Sequence, residues 1–191
     1  MIGDALAYAT AAEADLLAAV QAGHIMFHVR PPGEEWSVAD VLAHLIRTER
    51  VYQLIWLLAA PLGRFPRLLE VLDKLDIRMW RALGLRTLEE APGVRLVPAN
   101  ARQGKFAAPE LLKPASRRTM EQMLSLRRRV RAQSLRIIGR LTEKQLHGVR
   151  WSHPLFGKYT MLEWVEMMGS HDRRHTAQIE RILAAIGVGL E

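Results

Sequence analysis

The sequence predicts an all-α fold, a four-helix bundle with a long crossover connection, on three observations. Apolar residues recur at spacings of three and four along four long segments. No segment shows the strict alternation of a half-buried strand, and no internal repeat or low-complexity tract is present. Residues 61–113 part the segments into two pairs, and Gly84, Pro92, Gly93, Pro98, Gly104 and Pro109 break up much of that stretch. So long a connection favours a crossover over a simple up-and-down order. The length of 191 residues suits one domain spanning 1–191, large enough for a real core.

The first helix is expected over residues 4–27, where Leu6, Leu16, Leu17 and Val20 are interspersed with Asp4, Glu13 and Asp15. Gly23 weakens its end, and Pro31, Pro32 and Gly33 interrupt it. A second helix restarts at "WSVAD", with Ser37 as N-cap and Asp40 as its capping-box partner, and runs to about Ala60. Its inward stripe is Val41, His44, Thr48, Val51, Ile55 and Leu58, while Arg47, Glu49, Arg50 and Gln53 fall elsewhere. "PRLLEVLDKLDIRMWRALG" has the pattern of one more helix before the broken stretch.

From Ser116 to Arg140 an arginine-rich helix carries one apolar face, made by Met120, Met123, Leu124, Val130, Leu135 and Ile138. Its arginines, including the run "RRRVR", read as a solvated face. Thr142 caps a short further turn, and "WSHPLFGKY" reads as a loop because of Pro154 and Gly157. Thr160 and Glu163 form another capping box for a last long helix. Its inward stripe is Trp164, Met168, His171, His175, Gln178 or Ile179, and Ile182.

Composition excludes several classes. The absence of cysteine removes disulfides, thiolate ligands and cysteine nucleophiles, and is compatible with a cytoplasmic location. The opening "MIGDALAYATAAEADLL" lacks the basic and apolar segments of a secretory signal. Leu54–Leu62, the most apolar stretch, is about half of the roughly 20 residues that span a bilayer, so no membrane association is expected. The net charge of +7 attracts anions without specificity. No zinc finger, basic zipper or RNA-recognition motif accompanies it, and aromatics do not interleave with the arginines, so nucleic acid is not an expected partner.

The residues that carry chemistry are His44, His171 and His175. In a helix, side chains four apart lie one turn above each other, so His171 and His175 can converge on one ion while His44 approaches from a facing helix. Burying several imidazoles without partners is costly, and a divalent ion satisfies three nitrogen lone pairs at once. Three histidines leave coordination positions open, which is a catalytic arrangement. The glutamate of the HExxH protease motif is replaced by Asp172, which points away from the metal face, so zinc peptidase chemistry is disfavoured. The ion is zinc or nickel ahead of iron or manganese, and because imidazole suits several of these the sequence does not select one.

"RPPGEEWSVADVLAHLIRTER" and "WSHPLFGKYTMLEWVEMMGSHDRRHTAQIERI", with Trp36 ahead of the helix bearing His44 and the pattern of His171, Arg174, His175, Gln178 and Ile179, resemble the DinB superfamily and its YfiT-like members. The resemblance implies a four-helix bundle with a crossover, a homodimer, and a divalent ion, nickel or zinc, held by His44, His171 and His175. It also implies metal-dependent chemistry on a small-molecule substrate, as an S-transferase that uses a low-molecular-weight thiol or as a maleylpyruvate isomerase, the S-transferase being the favoured reading.

Two alternatives stand beside that activity. A metal-dependent hydrolase needs a proton acceptor near bound water, for which Glu49 and Glu166 are candidates only if the helices are rotated from the stripes above; otherwise both belong at the surface. A noncatalytic metal-binding protein uses the same three ligands for folding. Trp36, Trp151 and Trp164 read as packing residues, and His153 as a hydrogen-bonding loop residue rather than a fourth ligand. His24, His28 and His147 receive no role.

Overall fold

The structure, a computed structural model, describes residues 1–82, 117–153 and 157–187. Helix α1 spans Ile2–Ala22 and leads through a short 3-10 turn, His24–Met26, into α2, Val38–Leu62. Helix α3 follows at Pro66–Ala82, then α4 at Met120–Ile138 and α5 at Glu143–Gly148. Strands β1, Arg150–His153, and β2, Gly157–Thr160, form a hairpin that feeds α6, Met161–Ile186. The fold is therefore all-α in character, as its periodicity predicts. The central part of the expected crossover, residues 83–116, lies outside the described residues.

Local chemistry sets the helix starts. The Ser37 hydroxyl accepts from the Asp40 amide at 3.2 Å while Asp40 Oδ2 accepts from the Ser37 amide at 3.0 Å, so two orphan donors are satisfied reciprocally. Arg30 adds a 2.9 Å bond to the same carboxylate oxygen. Thr160 and Glu163 repeat the arrangement at the start of α6, with bonds of 2.7 and 3.1 Å. Both histidine-bearing helices thus begin at a fixed residue, and that fixes where their turns point.

Helix α1 lies along α6, and α2 packs against both α4 and α6. All four contribute to one apolar cluster, through Leu16 and Val20, Leu42 and Leu45, Met123 and Val130, and Ile179 and Ile182. A second cluster gathers Tyr52, Trp56, Ile138, Trp164 and Met168 with the short elements. Helices α1 and α6 approach closely at Gly169, where an added Cβ would stand 2.7 Å from the Tyr8 ring and 3.0 Å from Ala9 Cα. Only glycine fits there without a shift.

Three expectations are corrected. "WSHPLFGKY" is not simply a loop: Arg150 pairs with Thr160, and Trp151 with Tyr159, in an antiparallel ladder. Each strand has only four residues, too few for a legible alternation. The α2 stripe is also wider than drawn, because α2 is packed from two sides: Glu49 and Gln53 are buried, whereas Leu58 is 59% exposed. Finally, the arginines of α4 are not all solvated. Arg127 and Arg131 are 0% and 3% exposed and pair with buried acids.

Candidate metal centre

His44 projects from the second turn of α2, and His171 and His175 from the middle of α6. The three Nε2 atoms face one another: His44 to His171 is 3.3 Å and His171 to His175 is 3.1 Å. One nitrogen from each ring lies within 4.8 Å of the other two, so the set can hold a metal ion. Ligand nitrogens at 2.0–2.1 Å in a tetrahedron stand about 3.3 Å apart, so the observed separations fit a single small ion. His44 and His175 are buried, and His171 is half-buried.

The tautomer of His175 is fixed. Its Nδ1 lies 2.7 Å from Gln178 Oε1, and an amide oxygen can only accept, so Nδ1 carries the proton and Nε2 presents its lone pair to the centre. Gln178 stands one turn beyond His175 on the same face, and the HxxQ spacing is its sequence signal.

Burial holds the two imidazoles of α6 neutral. The His175 pKa is pushed down to about 3 by burial and then by His44, and the His171 pKa falls well below its ordinary value by burial and by both partner rings. Neutral imidazole is the ligand form, so His171 and His175 are ready at neutral pH.

Aromatic rings wall the centre. Trp36 packs as its sequence reading expects, 5.0 Å from the His44 ring and stacked at 6.2 Å over His175, so this tryptophan covers two of the histidines. Tyr52, two turns after His44 and without a role in the sequence reading, sits 6.2 Å from His171 and 5.2 Å from Trp164. Burial, then Asp172 and Glu49, raise its pKa far above the ordinary value, so it stays a phenol. The Thr48 hydroxyl, between His44 and Tyr52 in sequence, is buried with no hydrogen-bond partner.

His153 belongs to β1 rather than to a loop, and its ring packs 5.3 Å from Trp164. Burial pushes its pKa down to about 3. The acids do not join the site as bases: Glu49 and Asp172 are bound to α4 arginines, and Glu166 is exposed. His24, His28 and His147 are all exposed.

An all-α core with three histidines of two helices gathered in its interior defines a helical protein with a buried metal-competent centre. Residues 26–179 match the model of the DinB superfamily, and the chain belongs to that family. It is 28% identical over 157 residues, 80% of each chain, to the uncharacterized protein YuaE of Bacillus subtilis (strain 168). No solved structure gives a significant match.

Proposed function

We propose that His44, His171 and His175 are the ligands of a divalent ion, nickel or zinc, and that the centre serves an S-transferase joining a low-molecular-weight thiol to a small electrophilic substrate. The observation that carries the metal reading is the convergence of three histidine Nε2 atoms with the His175 proton placed on Nδ1 by Gln178. Three protein nitrogens leave room for an exchangeable ligand, and a bound divalent ion there would acidify a thiol or a water.

The chain's own groups favour a thiol over a water-activating hydrolase. A hydrolase needs a proton acceptor beside its water, and the nearest acids in sequence are committed to arginines or exposed. Tyr52 remains protonated, so it can donate or accept a hydrogen bond but is no ready base, and the unpartnered Thr48 hydroxyl can accept or donate one bond to a ligand. A thiol, whose free pKa is already about 8.5, would ionise at a bound divalent ion and lose its proton to solvent, so it needs less of the protein: positions to fix it and walls such as Trp36 beside it.

The wider reading is one domain acting on a small molecule as a homodimer in the cytoplasm. Leu54, Leu57 and Leu58 of α2 and Leu68, Val71 and Leu75 of α3 are each about half exposed, an apolar face that a second copy would cover. No helix among the described residues is long and apolar enough to cross a membrane. Arg127 and Arg131 are buried, which thins the basic face that nucleic acid would need.

Turnover assays separate the readings. Metal-loaded protein is expected to consume an electrophile such as a halonitrobenzene only with added thiol, and to lose that activity in His44→Ala. Hydrolysis of an ester without thiol, lost in the same variant, would instead establish the hydrolase.

A further inference from the structure

Five ionisable side chains drawn from all four long helices meet in the interior: Glu13 of α1, Glu49 of α2, Arg127 and Arg131 of α4, and Asp172 of α6. Arg127 donates to Glu49 and, through Nη2, to both oxygens of Asp172 at 2.8 and 2.7 Å. Arg131 donates to Glu49 from Nε and Nη2 at 3.0 Å each, and to Asp172 from Nη2 at 2.6 Å. Its Nη1 reaches the Ala9 carbonyl of α1 at 3.1 Å. Ser134 adds a 2.7 Å bond to Glu49.

Stability alone is a poor account of such a cluster, because desolvating ion pairs costs about as much as pairing them returns. Direction is what it does supply. Arg131 donates to both Glu49 oxygens with a planar two-nitrogen fork, and the Nη2 atoms of both arginines converge on Asp172, so the pair constrains the rotation and the height of α2 and α6. The two acids it grips are the neighbours of the metal-competent histidines. Glu49 follows His44 by five residues, and Asp172 follows His171 directly. The α-helical backbone links each acid rigidly to its imidazole, and ligand distances tolerate errors of only about 0.2 Å.

We propose that Arg127 and Arg131 are positioning residues of the three-histidine centre: from α4, which contributes no ligand, they lock α2 and α6 at the spacing that brings His44 onto His171 and His175. This rests on the metal reading above. It explains why charge is kept in the core of a helix whose other arginines face water.

The test uses cobalt(II), whose visible absorption reports coordination geometry, with wild-type full-length protein and the double variant Glu49→Gln/Arg131→Met. That pair removes one charge of each sign and leaves the Arg127–Asp172 pair standing. The expected result is a helical, cooperatively melting variant whose cobalt affinity falls ten- to a hundredfold and whose absorption band changes shape. Wild-type affinity and band shape in a folded variant would overturn the inference. Should the double variant not fold, Arg131→Lys keeps the charge without the fork; an altered band there supports the clamp, and an unaltered one overturns it. Failure of the wild type itself to bind cobalt would overturn the metal reading, and the clamp with it, and is distinct from failure of the clamp alone.

Discussion

His175 Nδ1 and Gln178 Oε1 lie 2.7 Å apart on one face of α6, and this contact decides which nitrogen of His175 faces the centre. Replacing Gln178 by Leu leaves Nδ1 without its acceptor and lets the ring adopt either tautomer. Metal affinity is expected to fall about ten- to a hundredfold with little change in metal-free stability. Competition titration against a zinc chelator measures it, and an unchanged affinity would remove Gln178 from the site.

Acid should weaken the metal-free protein through its histidines. His175 and His153 have pKa values pushed down to about 3, while in the unfolded chain they take up protons near 6.5. Between those values the unfolded chain binds more protons, so stability drops as pH falls from about 6.5 towards 3, by up to about 1.4 kcal/mol per unit for each such group. Glu13 acts in the opposite sense: burial raises its pKa, so its stability contribution is present below 4.5 and is lost as pH rises through the folded value. Urea melts across this range in chelator, for wild type and His153→Phe, check the sign; a shallower acid loss is expected in the variant.

Asp172 is bound by both α4 arginines in the interior. Asp172→Ala leaves buried guanidinium charge uncompensated, and the expected loss is about 3–5 kcal/mol, read as a large fall in the denaturation midpoint. A loss below about 1 kcal/mol would put this group among ordinary surface pairs.

Gly169 marks a tight contact of α1 with α6. Because an added Cβ meets the Tyr8 ring and the Ala9 backbone, Gly169→Ala should destabilise by about 1–3 kcal/mol despite alanine's better helix propensity. A stabilised variant, by thermal melting, would show that the helices separate easily.

What the sequence made legible was local. The capping pairs Ser37–Asp40 and Thr160–Glu163 fall three residues apart, and the His171–His175 spacing is one helical turn, so each is readable without knowing the fold. The pairing of His44 with His171 follows once two inward stripes are drawn. The arginine cluster was not legible, because Arg127 and Arg131 meet Glu49 and Asp172 across 41–82 residues, and arginine-rich helix faces ordinarily meet water. Tyr52 was hidden for a similar reason: its importance lies in what stands opposite. The hairpin was masked by Pro154 and Gly157, which signal a turn but not the short strands beside it.

Elemental analysis of tag-free protein, wild type beside His171→Ala, bears most directly on the centre. The account predicts about one nickel or zinc ion per wild-type chain and a near-complete loss in the variant, whose helix otherwise remains intact. A wild-type protein that takes up no divalent ion, or a variant that keeps the full complement, would contradict it.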